Sequence, residues 1–236
     1  MFINKFMKKT IIAIGGGEIK NKETLGIDEY IATRAKERAG DRRACGLFIP
    51  TASHDFMPYY NSFHKTYTGV FDIKTDVILS VFKELDMEKT REKFLKADFL
   101  YVGGGDTVFM IDHWRKSGIL SLIEDAYDRG VIICGLSAGA ICWFKTMYTD
   151  SAVNETGEKY ALFPGLNWIE GAISPHYNQR IVDFDKILCY NNLCAYGIED
   201  KSALEFSDGK LVKSISCGGN AYYITAENGQ LTKKTL

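Results

Sequence analysis

The stretch Val131-Ile132-Ile133-Cys134-Gly135-Leu136-Ser137-Ala138-Gly139-Ala140 decides how the chain is read. Its first four residues are apolar and mostly β-branched, which suits a strand buried on both faces. The strand runs directly into G-x-S-x-G, the pattern of a sharp strand-to-helix turn that lifts a serine clear of a sheet. Glycines flank the serine because the backbone bends tightly there and its neighbours pack close. Ser137 is therefore a candidate nucleophile, and Ile141-Cys142-Trp143-Phe144 are expected to continue beyond it as a buried helix.

Working outward, short apolar runs alternate with helical patterns. Strands are expected at Thr10–Ile14, Ala44–Ile49, Asp76–Val81, Phe99–Val102 and Gly130–Cys134. Helices are expected at Asp28–Ala39, Tyr59–Thr68, Glu88–Lys96, Thr107–Trp114 and Leu120–Asp128. Such alternation argues for an α/β fold with a mostly parallel sheet covered on both faces. Ligands of these sheets bind at the carboxyl ends of the strands, where this chain places Gly15-Gly16-Gly17, Gly103-Gly104-Gly105 and the serine turn. After Lys201 the pattern changes. Ala203–Phe206, Leu211–Ser216 and Ala221–Thr225 are separated by Asp208-Gly209 and Gly218-Gly219, and read as an antiparallel C-terminal edge of that sheet. No repeat or linker divides residues 1–236, so a single domain is expected.

Composition narrows the function. Of the 236 residues, 29 are Lys or Arg and 30 are Asp or Glu, a net charge of -1. That balance supplies no field to hold nucleic acid or an anionic membrane. The apolar runs are far short of the roughly 20 residues of a spanning helix. The apolar stretch after Lys5, Lys8 and Lys9 is too short for a signal peptide, so a cytoplasmic protein is expected. The six cysteines form no C-x-x-C pair and read as reduced, mostly buried thiols, with no metal site among them. The aromatic run Tyr59–Tyr67 fits either core packing or a homodimer face.

A nucleophilic serine needs a base. Of the four histidines, His176 in Ser174-Pro175-His176-Tyr177 is the best placed, after a short apolar run and a proline that favours an extended loop. His54 follows another strand end, whereas His64 and His113 sit in helical patterns. The imidazole needs a carboxylate to fix its tautomer. Asp150 lies between serine and histidine in the chain. Glu155, Glu199 and Asp200 are rivals, the last two after the strand-like Ala195–Ile198. An oxyanion needs backbone N–H donors, for which Ala138 and the Gly103–Gly105 turn are the candidates. The glycine stretches fit neither G-x-G-x-x-G nor the P-loop, so a nucleotide cofactor is not expected.

Taken together, Gly15-Gly16-Gly17, Val102-Gly103-Gly104-Gly105-Asp106-Thr107, Gly135-Leu136-Ser137-Ala138-Gly139-Ala140 and Pro175-His176-Tyr177 resemble the dipeptidase E and cyanophycinase family of serine peptidases, in the same order over about residues 10 to 217. That family is similar in fold to class I glutamine amidotransferases, which implies a flavodoxin-like three-layer sandwich. Those relatives carry cysteine at the turn, and Ser137 points to the serine branch. The resemblance implies Ser137 as nucleophile, His176 as base and Asp150 as the acid, with Glu155 or Glu199 left open. It implies oxyanion donors at Gly104 and Ala138, and a small peptide substrate, such as one with an N-terminal Asp. An aspartate side chain calls for an arginine fork. Arg180 is the candidate, with Asp106 also placed toward the substrate. No metal or organic cofactor is implied. A silent binding or regulatory protein on the same fold, and a small-substrate esterase, are the alternatives.

Overall fold

The computed structural model describes residues 8–151 and 159–236. Strand β1 (Thr10–Ile14) is followed by α1 (Leu25–Ala39), β2 (Cys45–Ile49), α2 (Met57–Gly69), β3 (Lys74–Val77) and α3 (Met87–Lys96). Then come β4 (Phe99–Val102), α4 (Thr107–Ser117), α5 (Ile119–Asp128), β5 (Ile132–Leu136) and the short α6 (Ala138–Ile141). The remainder is β6 (Phe144–Thr149), β7 (Ala161–Pro164), β8 (Ile169–Ser174), α7 (Tyr177–Asn191), β9 (Ala195–Ile198), β10 (Ser202–Ser207), β11 (Lys210–Ser216), β12 (Ala221–Glu227) and β13 (Gln230–Thr235).

The strands form two sheets. The first has seven, in the order β11-β10-β1-β5-β4-β2-β3. Its β1, β5, β4, β2 and β3 run parallel, and β10 and β11 add an antiparallel edge. The four inner parallel strands β1, β5, β4 and β2 are buried throughout, and mostly apolar, because both faces are covered, whereas the marginal β3 is polar and half-exposed. In β1, Ile12 and Ile14 pack into a cluster with Ile27, Ile31 and Phe63 of α1 and α2, while Ile11 and Ala13 join one with Trp114, Ile123 and Phe94 of α3 to α5. The expected strand Asp76–Val81 begins earlier, at Lys74, where β3 pairs with β2 on the sheet margin.

The second sheet, of six strands in the order β13-β12-β9-β8-β6-β7, departs from expectation. The helix expected to continue through Phe144 stops at Ile141. The Trp143 indole donates to the Gly139 carbonyl at 2.7 Å, and the chain turns into β6, whose Phe144, Met147 and Tyr148 are buried. The C-terminal strands also divide. β10 and β11 edge the first sheet, whereas β12 leaves it to pair with β9. Within the aromatic run, Phe63 and Tyr67 are fully buried against Phe99 and Tyr101, while Tyr59 and Tyr60 are half-buried. Cys45, Cys134 and Cys142 are buried, and Cys194 is exposed. Among the described residues, no helix is long and apolar enough to cross a membrane.

Candidate active site

Ser137 leaves β5 with φ 53° and ψ -110°, a conformation sparsely populated for any residue but glycine. Its N–H donates to the Ile14 carbonyl at 3.0 Å, which ties the turn to the neighbouring strand. A side chain at Gly135 would collide with the Gly139 carbonyl, and one at Gly139 with the Val102 carbonyl. The two motif glycines are therefore required by space as well as by curvature. Helix α6 has only four residues, so its contribution at the serine is individual N–H groups rather than a macrodipole. Ala138 opens that helix, and its N–H has no intrahelical partner.

His176 arrives from the other sheet. It ends the turn after β8 in a left-handed conformation, φ 47°, and its N–H donates to the Gly15 carbonyl at 3.1 Å. The imidazole Nε2 lies 3.0 Å from Ser137 Oγ, and Nδ1 lies 2.5 Å from Asp200 Oδ1. The carboxylate on the histidine is thus Asp200, which follows β9, rather than Asp150. Asp150 is an exposed residue just past the end of β6. Glu199 turns the other way and accepts from the Asn220 backbone N–H and the Tyr222 hydroxyl. Glu155 lies outside the described residues.

Asp200 is held by the helix that carries the histidine. Asn178 Nδ2 and Gln179 Nε2 donate to Oδ2 at 3.1 and 2.8 Å, and the Asp200 N–H donates to Asn178 Oδ1 at 3.1 Å. Partial burial alone would raise this carboxyl. The Asn178 donor, the positive charge and hydrogen bond of His176, and the Gln179 donor outweigh it and hold the group below its ordinary value. The pair lies directly over Gly16, where a side chain would collide with Asp200 Oδ1 and the imidazole. Gly16 and Asp200 also form a lone parallel bridge, which joins the two sheets beneath the site.

The serine and histidine open into a cleft of about 870 Å³, also lined by Tyr59, Gly104, Gln179 and Asp200. Its charged wall combines Glu18 and Glu23 with Lys20 and Lys201. Gly104 is close to the serine: a Cβ there would lie 3.3 Å from Ser137 Cβ. Arg180 does not line the cleft. Its guanidinium is buried, donates to the Tyr148 carbonyl at 3.3 Å and rests 4.4 Å from the Tyr160 ring centroid. Asp106 caps α4 by accepting from the Phe109 N–H at 3.0 Å. His54 is exposed and packs on Phe109. Asn178, Gln179 and Tyr59 were not singled out from the sequence. Their signal was only proximity, to His176 for the first two and to the Pro50 strand end for the third.

A family model for Peptidase family S51 matches residues 11–214. The chain is 32% identical over 235 residues to the uncharacterized peptidase YgaJ of Bacillus subtilis (strain 168), with 97% of each chain covered. It is 25% identical over 131 residues to Peptidase E of Salmonella newport, covering 50% of this chain and 55% of that protein. Among solved structures, a peptidase from an acI-B1 Actinobacterium superposes with a TM-score of 0.67 at 17% identity, covering 100% of this chain and 99% of that one. A putative Peptidase E protein from Listeria monocytogenes EGD-e gives 0.63 at 18% identity, covering 89% and 98%. These two likenesses speak to the fold, a mixed α/β arrangement.

Proposed function

The chain belongs to peptidase family S51 and is a serine-type peptidase; from that premise we propose that it hydrolyses short peptides with Ser137, His176 and Asp200 as its catalytic triad. The observation that carries this reading is the continuous chain Oγ···Nε2 at 3.0 Å and Nδ1···Oδ1 at 2.5 Å, opening on the cleft. Asp200 accepts from Nδ1–H, which leaves the Nε2 lone pair toward the serine. Ser137 Oγ attacks the peptide carbonyl as Nε2 takes its proton. The oxyanion is met by the Ala138 N–H and by the Gly104 side of the cleft. His176 then returns the proton to the leaving amine, and water, deprotonated by the same imidazole, releases the acid. None of these steps calls on a metal or an organic cofactor.

The substrate reading is a peptide with an acidic first residue. Because Arg180 faces Tyr148 and Tyr160, the cations available to a substrate carboxylate are Lys201, beside Asp200, and Lys20. The fold reading is a flavodoxin-like sandwich and a single domain, supported by an apolar cluster that runs from β1 and β4 through α4 and α5 to β8 of the second sheet. With a net charge of -1, a cytoplasmic enzyme without a nucleic-acid partner is the accompanying proposal.

The test is a panel of dipeptides with every N-terminal residue, offered to wild type and Ser137→Ala. Cleavage of Asp-initiated peptides that vanishes in Ser137→Ala is the expected result. Equal cleavage of other peptides would discard the acidic preference and keep the triad. Cleavage that survives in Ser137→Ala would overturn the triad.

A further inference from the structure

Gly104 enters the site already engaged. Its N–H, the second candidate oxyanion donor, donates to the hydroxyl oxygen of Tyr59 at 3.3 Å. The tyrosine is set there by packing. Its ring meets Phe48 edge-on with centroids 5.0 Å apart, and it lies where a side chain at residue 103 would be, since a Cβ on Gly103 would come within 2.9 Å of Tyr59 Cε1. Only glycine at that position admits the ring. The Tyr59 oxygen thus accepts one hydrogen bond, and among the described residues its own proton has no acceptor. Tyr59 lines the same cleft as Ser137.

We propose that Tyr59 is the second oxyanion donor of this enzyme: its hydroxyl stands between the Gly104 N–H and the reacting carbonyl, accepting from the first and donating to the second. The proposal rests on the serine-peptidase reading of Ser137 and names a side chain where a backbone N–H would be expected. The chemistry favours the relay. An N–H donated into a phenol oxygen polarises the O–H and strengthens its donation to a developing anion. Desolvation of Tyr59 raises its pKa well above the ordinary range and outweighs the lowering effect of the Gly104 N–H, so the proton stays on the oxygen during turnover. No proton is transferred by Tyr59; it contributes a hydrogen bond that shortens as the carbonyl oxygen gains charge. The alternative is a gate, in which Tyr59 withdraws on substrate binding and the Gly104 N–H donates directly.

Tyr59→Phe separates the two, because it removes one oxygen and keeps the ring against Phe48 and Gly103. The readout is the rate of covalent labelling of Ser137 by a fluorophosphonate, whose phosphoryl oxygen must occupy the same seat and which needs no natural substrate. The relay predicts labelling slowed about 100-fold in Tyr59→Phe. It also predicts a matching loss of affinity for a peptide boronic acid, which is tetrahedral when bound. Affinity for a cleavage product, which carries no tetrahedral centre, should be unchanged, and thermal melting should confirm an intact fold. Labelling as fast as wild type, or faster, would overturn the relay in favour of the gate. A parallel loss of product affinity would mark Tyr59 as a structural wall and also overturn it. A wild type that fails to label at Ser137 would remove the nucleophile reading itself, and the relay with it.

Discussion

Ser137 stands at the end of a strand of the seven-stranded sheet, whereas His176 and Asp200 follow strands of the six-stranded one. The two regions are built by different rules. The first is a parallel, doubly covered sheet, and its apolar strands announce themselves in the sequence. The second mixes two parallel pairs, β6–β8 and β8–β9, with antiparallel ones on either side, over a smaller apolar cluster around Tyr148, Phe184 and Ile224. The proposed nucleophile thus sits on the doubly covered sheet and the proposed proton-handling pair on the other. Beside the site the two meet at the Gly16–Asp200 bridge, which the imidazole overlies, and at the hydrogen bond from the His176 N–H to the Gly15 carbonyl. The proposed triad, assembled across two sheets, depends on that junction as much as on its own side chains.

The largest expected effect removes the contribution of the first sheet outright. Ser137→Ala should lower peptide turnover by at least about 10⁴-fold while melting like wild type, since only an oxygen at a strained turn is lost. Turnover retained within tenfold would break the assignment of the nucleophile to the seven-stranded sheet. The second sheet is tested next by a pair of variants. Asp200→Asn should lower kcat by roughly 10²- to 10⁴-fold, because an amide no longer selects the Nδ1–H tautomer. Asp150→Asn, at an exposed position past β6, should stay within about twofold. The reverse ranking would return the acid to the chain order of serine, aspartate, histidine.

The junction comes third. Gly16→Ala puts a methyl group against both Asp200 Oδ1 and the imidazole. Relieving those overlaps needs the pair to move by about an ångström, which should lower kcat by about 100-fold and cost on the order of 1–3 kcal/mol in denaturant unfolding. A variant as active and stable as wild type would show that the two sheets are positioned elsewhere.

The same division explains what could be read from the sequence. The parallel strands, the G-x-S-x-G turn and His176 were legible because buried β-branched runs and glycine turns are local signals. Asp200 was visible only as one of several acids at strand ends, since its selection depends on β9 lying beside β8, a pairing that no local pattern specifies. The helix expected over Ile141–Phe144 overruns into the first residue of β6 because that stretch is apolar throughout, and periodicity does not separate a buried helix from a buried strand over four residues. Arg180 looked like a cleft residue from its spacing to His176. Its helical position instead turns it toward Tyr148 and Tyr160, on the side of α7 that packs on the second sheet.

The smallest effect sharpens the comparison through two carboxylates. Asp28 of α1, on the covered face of the first sheet, is fully buried and accepts from the Thr24 and Tyr67 hydroxyls, at 2.8 and 2.9 Å. Asp200 has comparable donors, a cationic partner in the protonated imidazole, and access to the cleft. Burial pushes Asp28 up to about 6, beyond what its two hydroxyl donors offset, while Asp200 is held below the ordinary value. The signs of the linked stability are therefore opposite. The folded state binds the Asp28 proton more tightly than the unfolded chain does. Its contribution is full below the ordinary value of 3.8 and is lost as pH rises through about 6. The ionised Asp200 contributes fully above its ordinary value and loses that contribution as pH falls below it, through the lowered value of the folded state. Asp28→Asn should accordingly flatten the fall in denaturant-measured stability between about pH 4 and 6, by an amount on the order of 2 kcal/mol. Asp200→Asn should leave that window unchanged and alter only the acid limb below it. Parallel pH profiles for the two variants would erase the distinction between a sheet that favours the protonated form of its buried acid and a junction that favours the charged form of its own.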